Sequence, residues 1–402
     1  MTDQPLEQNE QNITRFRPDH RGGLVRFFRT LSLLGMLACV LFGIWRYQDD
    51  LTIDNLRRFY QYFSVGEQSA DFSGYTFESG LSTVYVPFGR GLAVASGDTY
   101  HYVSGLGGAQ FSIQLKYSNP MLSAGSRYVL IYDLGNYGLC VANSYAEYLN
   151  VTLDSPILAA QMNKAGAFAV VTNEQGYRAA VTVYSARQRV LCKWSTSQYY
   201  VRTASVSPDS DRFAALCVTQ DGLSAHTQAL IFTIGRQEPD ATVDLGDRRV
   251  YAMCHDKSGA LLILCSDGLD YYDADGKLLG QLPFTAAPAS FFMAEGEEPL
   301  LAFSASDAAG QRTLLVAAGK NGKSLWSETA AGTLRGVWRS GDIACALMGD
   351  RLLLRDLSDA DNRTRTLPQS GARAVLVRED GNPILIYSDR AEKVDMEDDA
   401  WS

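Results

Sequence analysis

The residue types that most often carry chemistry are thinly spread along this 402-residue chain. Beyond the first fifty residues histidine occurs only as His101, His226 and His255, and no H-E-x-x-H is present, so a metal-ligand pair at helical spacing is absent. No G-x-S-x-G elbow occurs, which removes a serine hydrolase of that type. Asp273-x-Asp275-Gly276 and Asp359-x-Asp361-Asn362 open like calcium loops but lack the further acidic ligands and the closing glutamate. Their carboxylates read as turn formers. The glycine-rich run Ser104 to Gly108 has no helix after it and cannot present a helix N-terminus to phosphate. Six of the seven cysteines, Cys140, Cys192, Cys217, Cys254, Cys265 and Cys345, sit in strand-like strings without a C-x-x-C, which reads as small buried hydrophobes, not disulfides. No residue is therefore assigned a catalytic, cofactor-binding or metal-binding role, and no cofactor is expected.

The elements around these residues divide the chain sharply. An apolar run from Leu31 to Trp45, which contains Cys39, follows five arginines, Arg15, Arg17, Arg21, Arg26 and Arg29. Extended back through Leu24, with Arg26 and Arg29 snorkelling, it predicts a single transmembrane helix over 24–47. A cleaved signal peptide is the rival reading, but the segment lacks a small-x-small cleavage site. The arginine bias keeps residues 1–23 in the cytoplasm as a disordered tail and puts the rest outside. Residues 48–70 read as a juxtamembrane helix and linker, from the helical spacing of Leu51, Leu56, Phe59 and Phe63. Six arginines and four acids lie in residues 1–46; the remaining 30 basic and 41 acidic residues give the rest a net charge of −11. Such a charge argues against nucleic acid and against flat binding to anionic lipid.

From Leu81 onward helical periodicity disappears and a unit recurs. Its most apolar strand begins at Leu92, Tyr128, Phe168, Phe213, Leu261, Leu300, Ile343 and Ile384, about 42 residues per step. Each has a shorter strand before it across a Gly, Asp or Asn turn and further strands after it, which is the pattern of a β-propeller blade. The expected fold is all-β: an eight-bladed propeller over 71–396, then an acidic tail, 397–402. The eighth unit has only three strands and residues 74–79 are a spare one, so the ring should close by pairing them beside Arg390 to Val394. Seven blades remain the alternative if the unit containing Pro120 to Ser123 merges with a neighbour.

Two short motifs carry a resemblance. Ser207-Pro-Asp-Ser-Asp-Arg-Phe213-Ala resembles the S-P-D-G turn of WD40-like and TolB-type propellers, with Ser210 in place of glycine. Gly319-Lys-Asn-Gly-Lys-Ser-Leu-Trp326 resembles the strand entry of PQQ-like repeats. With the anchor, the whole chain resembles membrane-tethered propeller proteins of Gram-positive bacteria that form a domain-of-unknown-function family. That resemblance implies fold and topology, and no activity.

The function expected is non-enzymatic: a single-pass membrane protein whose extracytoplasmic propeller binds a protein or a cell-envelope polymer. Tyr199-Tyr200 and Tyr271-Tyr272, at strand ends, could serve recognition or simply fill strands. The alternatives are an envelope hydrolase or dehydrogenase, with acids from several blades converging at the tunnel mouth, and a ligand-sensing ectodomain.

Overall fold

A computed structural model of the chain describes residues 21–46, 74–76, 83–104, 108–221, 224–307, 310–358 and 363–394. Two compact units are present, Met1–Ser64 and Val65–Ser402. In the first, residues Arg21–Arg46 form a 26-residue helix. Phe28, Leu31, Leu34, Met36, Leu41 and Phe42 along it are each more than half exposed. Among the described residues no helix is long and apolar enough to cross a membrane. The segment expected as a span over 24–47 is helical from Arg21 to Arg46. Of the expected tail over 1–23, residues 21–23 belong to this helix and the rest lies outside the described residues, as do the helix and linker expected at 48–70 and the tail at 397–402.

The second unit is a ring of eight four-stranded antiparallel sheets. In chain order the blades occupy 84–114, 120–152, 157–196, 200–246, 250–283, 290–331, 334–368 and 374–393. The last is completed by Tyr75–Thr76, with Tyr75 opposite Ala391 and Thr76 opposite Arg390. The spare strand therefore closes the ring where the deficient blade needs it. Pro120–Ala124 pairs in full with Val129–Asp133, so the second unit is a blade in its own right and the seven-bladed alternative falls away.

Apolar alternation explains the layering. Second strands such as Gly91–Ala95, Phe168–Thr172 and Leu261–Cys265 are buried at every position. Outer strands such as Leu278–Pro283 and Ser324–Ala331 alternate in exposure and face water on one side. Each of the eight junctions between neighbouring blades holds one hydrophobic cluster. Burial of this kind contributes about 25 cal/mol per Å² of apolar surface, so the ring is held chiefly by side chains meeting between sheets. All six cysteines of this unit are free, five of them buried. Burial pushes the thiols of Cys217 and Cys265 up to about 12, which keeps them protonated and unreactive.

Because consecutive strands are antiparallel, turns joining first to second strands all emerge on one face of the ring. The sixth blade breaks the pattern there. Its first strand, Ser290–Phe292, has three residues and is the shortest of the eight first strands. The chain then leaves the sheet before re-entering at Leu300.

Candidate binding site at the channel mouth

The first strands surround the central channel, and residues 293–298 of the sixth blade cross its mouth. Three glutamates secure this crossing, and between them they reach four other blades. Glu295 Oε2 accepts the backbone N–H of His255 in the fifth blade at 3.1 Å, and Ser205 of the fourth blade bonds to Oε1. Glu297 Oε1 accepts Lys164 Nζ of the third blade at 3.1 Å, and its Oε2 accepts Gly341 N–H of the seventh at 3.1 Å. Glu298 Oε2 accepts Arg339 Nη2 of the seventh blade at 2.8 Å. Gly296 adds a backbone bond, its N–H donating to His255 C=O at 3.0 Å. Five consecutive blades are thereby tied together by one short segment.

Gly296 is a required glycine. Its φ is +72°, and a Cβ there would come within 2.9 Å of Lys164 Cγ, on the lysine stem that lies across it.

Behind the crossing segment Ser205, His255 and Glu295 form a buried polar cluster, with Ser205 Oγ 2.6 Å from His255 Nδ1. Burial raises the Glu295 carboxyl to about 8 and lowers the His255 imidazole to about 4. Near pH 7 both groups are thus largely uncharged, which a site closed to water favours. Serine, histidine and a carboxylate invite comparison with a nucleophilic relay. A relay needs the carboxylate on one ring nitrogen and the serine on the other. Here carboxyl and imidazole meet at the same serine oxygen, so the cluster joins blades and does not pass protons to a nucleophile.

The crossing segment covers the side of the mouth over the fourth and fifth blades. The other side remains open as a cavity of about 400 Å³, to which the remaining six blades contribute. Its walls are apolar in part, with Leu122, Met162, Phe291, Met293 and Trp338, and carry Lys164, Glu297 and Glu379. Buried Arg339 forms part of the lining and bonds three carbonyl oxygens, of Gly341, Ala318 and Pro299, at 3.0, 2.7 and 3.4 Å.

The three histidines singled out in the sequence are not brought together. His101 lies beside Thr99 Oγ1 at 2.9 Å in the first blade, and His226 meets Asp244 at 3.0 Å on the surface of the fourth. Of the three, only His255 bonds to the crossing segment. Asp273 caps its own turn, its Oδ1 accepting the N–H groups of Asp275 and Lys277. The partner loop at 359–362 lies outside the described residues. Among the described residues no group of three or more His, Cys, Asp and Glu is placed to hold a metal ion. Tyr271 and Tyr272 end a strand as expected, but they are buried, with Tyr272 O–H donating to Asp270 at 3.1 Å, so they fill the blade. Tyr200 is exposed beneath the Arg178 guanidinium, 4.8 Å from the ring centre.

Sequence reasoning did not find Ser205, Lys164, Glu295, Glu297, Glu298 or Arg339. The available signal was a mismatch between repeats. At this turn the third, fourth and fifth blades carry Asn163, Ser207 and Asp256, whose side chains each accept a backbone N–H of their own turn. The sixth carries Glu295-Gly-Glu-Glu298.

No curated protein matches the chain in sequence. Solved structures similar to it include the C-terminal WD40 domain of Sif2, at 10% identity and a TM-score of 0.52, over 81% of this chain and 97% of that one. Sqt1 of Chaetomium thermophilum, solved bound to the N-terminus of ribosomal protein L10, gives 10% and 0.52 over 81% of this chain and all of that one. BamB of Moraxella catarrhalis gives 12% and 0.46 over 78% and 100%. The first two likenesses establish the fold alone. Residues 68–395 match one family model, and the chain belongs to the family of unknown function DUF5711.

Proposed function

We propose that this protein is a membrane-tethered, extracytoplasmic propeller that binds a protein partner of the cell envelope at the channel mouth. The observation that carries the reading is the 400 Å³ cavity, open to one side of the crossing segment and lined by apolar and carboxylate side chains from separate blades. Concave, partly apolar sites with a few fixed polar groups are where ligands are held. Sqt1, solved with a protein segment bound, is an instance of a propeller in that role. The helix Arg21–Arg46 serves as the anchor in this reading, with Arg26 and Arg29 snorkelling to lengthen its apolar stretch and the arginine-rich flank held in the cytoplasm.

Two experiments test this. A photo-crosslinking amino acid at Phe291 should capture a discrete protein in intact cells, whereas capture of nothing from the mouth would remove the site. A reporter active only in the cytoplasm should be silent after Ser402 and active at the N-terminus; activity at Ser402 would overturn the location.

A further inference from the structure

The three glutamates of the crossing segment are not equivalent. Glu295 is consumed in the buried cluster with Ser205 and His255, and Glu298 faces Arg339, a side chain only 1% exposed. Glu297 alone both lines the cavity and holds a partner that is free to leave. One of its oxygens is fixed by the Gly341 N–H, which keeps the carboxylate aimed whether or not the other is occupied. The other oxygen faces Lys164, whose side chain is 38% exposed against 18% for the glutamate. A partly exposed ion pair of this kind is worth about 1 kcal/mol or less, so the lysine swings into water at little cost.

Lys164 also shows what the place accommodates. Its alkyl stem lies along Gly296, close enough that a Cβ on that residue would be forced against Cγ, and its ammonium ends on Glu297. Met162, Met293 and Trp338 line the adjoining cavity with surface suited to a second stem, and Glu379 supplies another carboxylate. The whole segment beyond residue 46 is acidic, which favours a cationic visitor.

We infer that Glu297 is the receptor for a basic side chain, lysine or arginine, of the bound protein segment, and that Lys164 holds its place as an internal substitute until displaced. This rests on the mouth being the binding site. Lys164→Met keeps the stem over Gly296 and removes the competing ammonium. Binding of fluorescein-labelled hexalysine to the full chain in detergent should then tighten about three- to fivefold over wild type, the factor that releasing a pair worth up to about 1 kcal/mol allows. Adding Glu297→Gln to that variant should return affinity to the wild-type level or below. Hexaglutamine should bind none of these proteins. Should Lys164→Met fail to fold, Glu297→Gln alone remains decisive, because it should weaken hexalysine binding severalfold. Equal affinity of wild type and Lys164→Met, or a Glu297→Gln change without effect, overturns the assignment. If Phe291 crosslinking captures a partner while these variants change nothing, the mouth stands and the cation receptor falls. If crosslinking from the mouth captures nothing, both fall.

Discussion

The fourth and sixth blades meet the same structural demand, a turn from first to second strand beside the channel, in opposite ways. In the fourth, the side chains of Ser207-Pro-Asp-Ser-Asp211 bond within their own turn, which Asn163 of the third blade joins by donating to Ser207 C=O at 2.7 Å. Ser207 Oγ accepts Arg212 N–H at 3.1 Å and donates to Asp211 at 2.9 Å, while Ser210 N–H returns to Ser207 C=O at 2.9 Å. In the sixth, only a single tight bond, Glu297 N–H to Ala294 C=O at 3.1 Å, is internal, and the carboxylates reach outward to the third, fourth, fifth and seventh blades. A short serine side chain caps its own backbone; a glutamate, two bonds longer, reaches across a channel. The repeat supplies rigidity with the first kind of turn and an organised mouth with the second.

The largest effect should come from removing the anchor of the outward-reaching turn. Arg339→Met leaves Glu298 and three carbonyl oxygens without their donor in a nearly dry site, and should cost about 3–5 kcal/mol in urea unfolding. A loss below about 1 kcal/mol would mean the seventh blade does not depend on the crossing segment.

Next comes a pH effect with a definite sign. The Glu295 carboxyl is raised to about 8, so its contribution is complete below about 4.5 and is lost as pH rises through about 8. The His255 imidazole is lowered to about 4, so its contribution is complete above about 6.5 and is lost as pH falls through about 4. Glu295→Gln should remove the alkaline fall, a change of about 1–3 kcal/mol between pH 5 and pH 9, and leave the acid fall in place. Persistence of the alkaline fall in the variant would place its origin elsewhere.

Gly296→Ala should cost about 1–2 kcal/mol, from positive φ and pressure on the Lys164 stem. A neutral result by thermal unfolding would show the segment yielding freely. The smallest effect belongs to the fourth-blade turn. Ser210 has φ +58°, which glycine adopts more easily, but its hydroxyl also accepts Asn163 Nδ2 at 3.1 Å. The two terms oppose, and Ser210→Gly should shift stability by no more than about 0.5 kcal/mol.

The contrast also marks how much was legible in the amino-acid sequence. Blade count, strand order and ring closure were readable because each depends on a repeated local pattern: an apolar second strand, a polar turn, and a unit one strand short. The closure followed from counting strands, and Tyr75 opposite Ala391 is its outcome. The mouth was not readable, because it is made by residues distant in the chain, such as Lys164 and Glu297, 133 positions apart, that only ring closure brings together. His255 was noticed as a residue type and judged by its own neighbours, whereas its partners Ser205 and Glu295 come from the blades on either side. The N-terminal helix was readable from local pattern as well: the apolar run Leu31 to Trp45 lies within Arg21–Arg46.

Hydrogen exchange on the full chain tests the comparison most directly. If residues 293–298 are a structural strut across the mouth, the amides of Gly296 and Gly341 should be protected as strongly as those of the neighbouring first strands. Asp209, exposed in the fourth-blade turn, should exchange orders of magnitude faster. Exchange at Gly296 and Gly341 as fast as at Asp209 would contradict the account, because it would make the sixth-blade segment an ordinary loop.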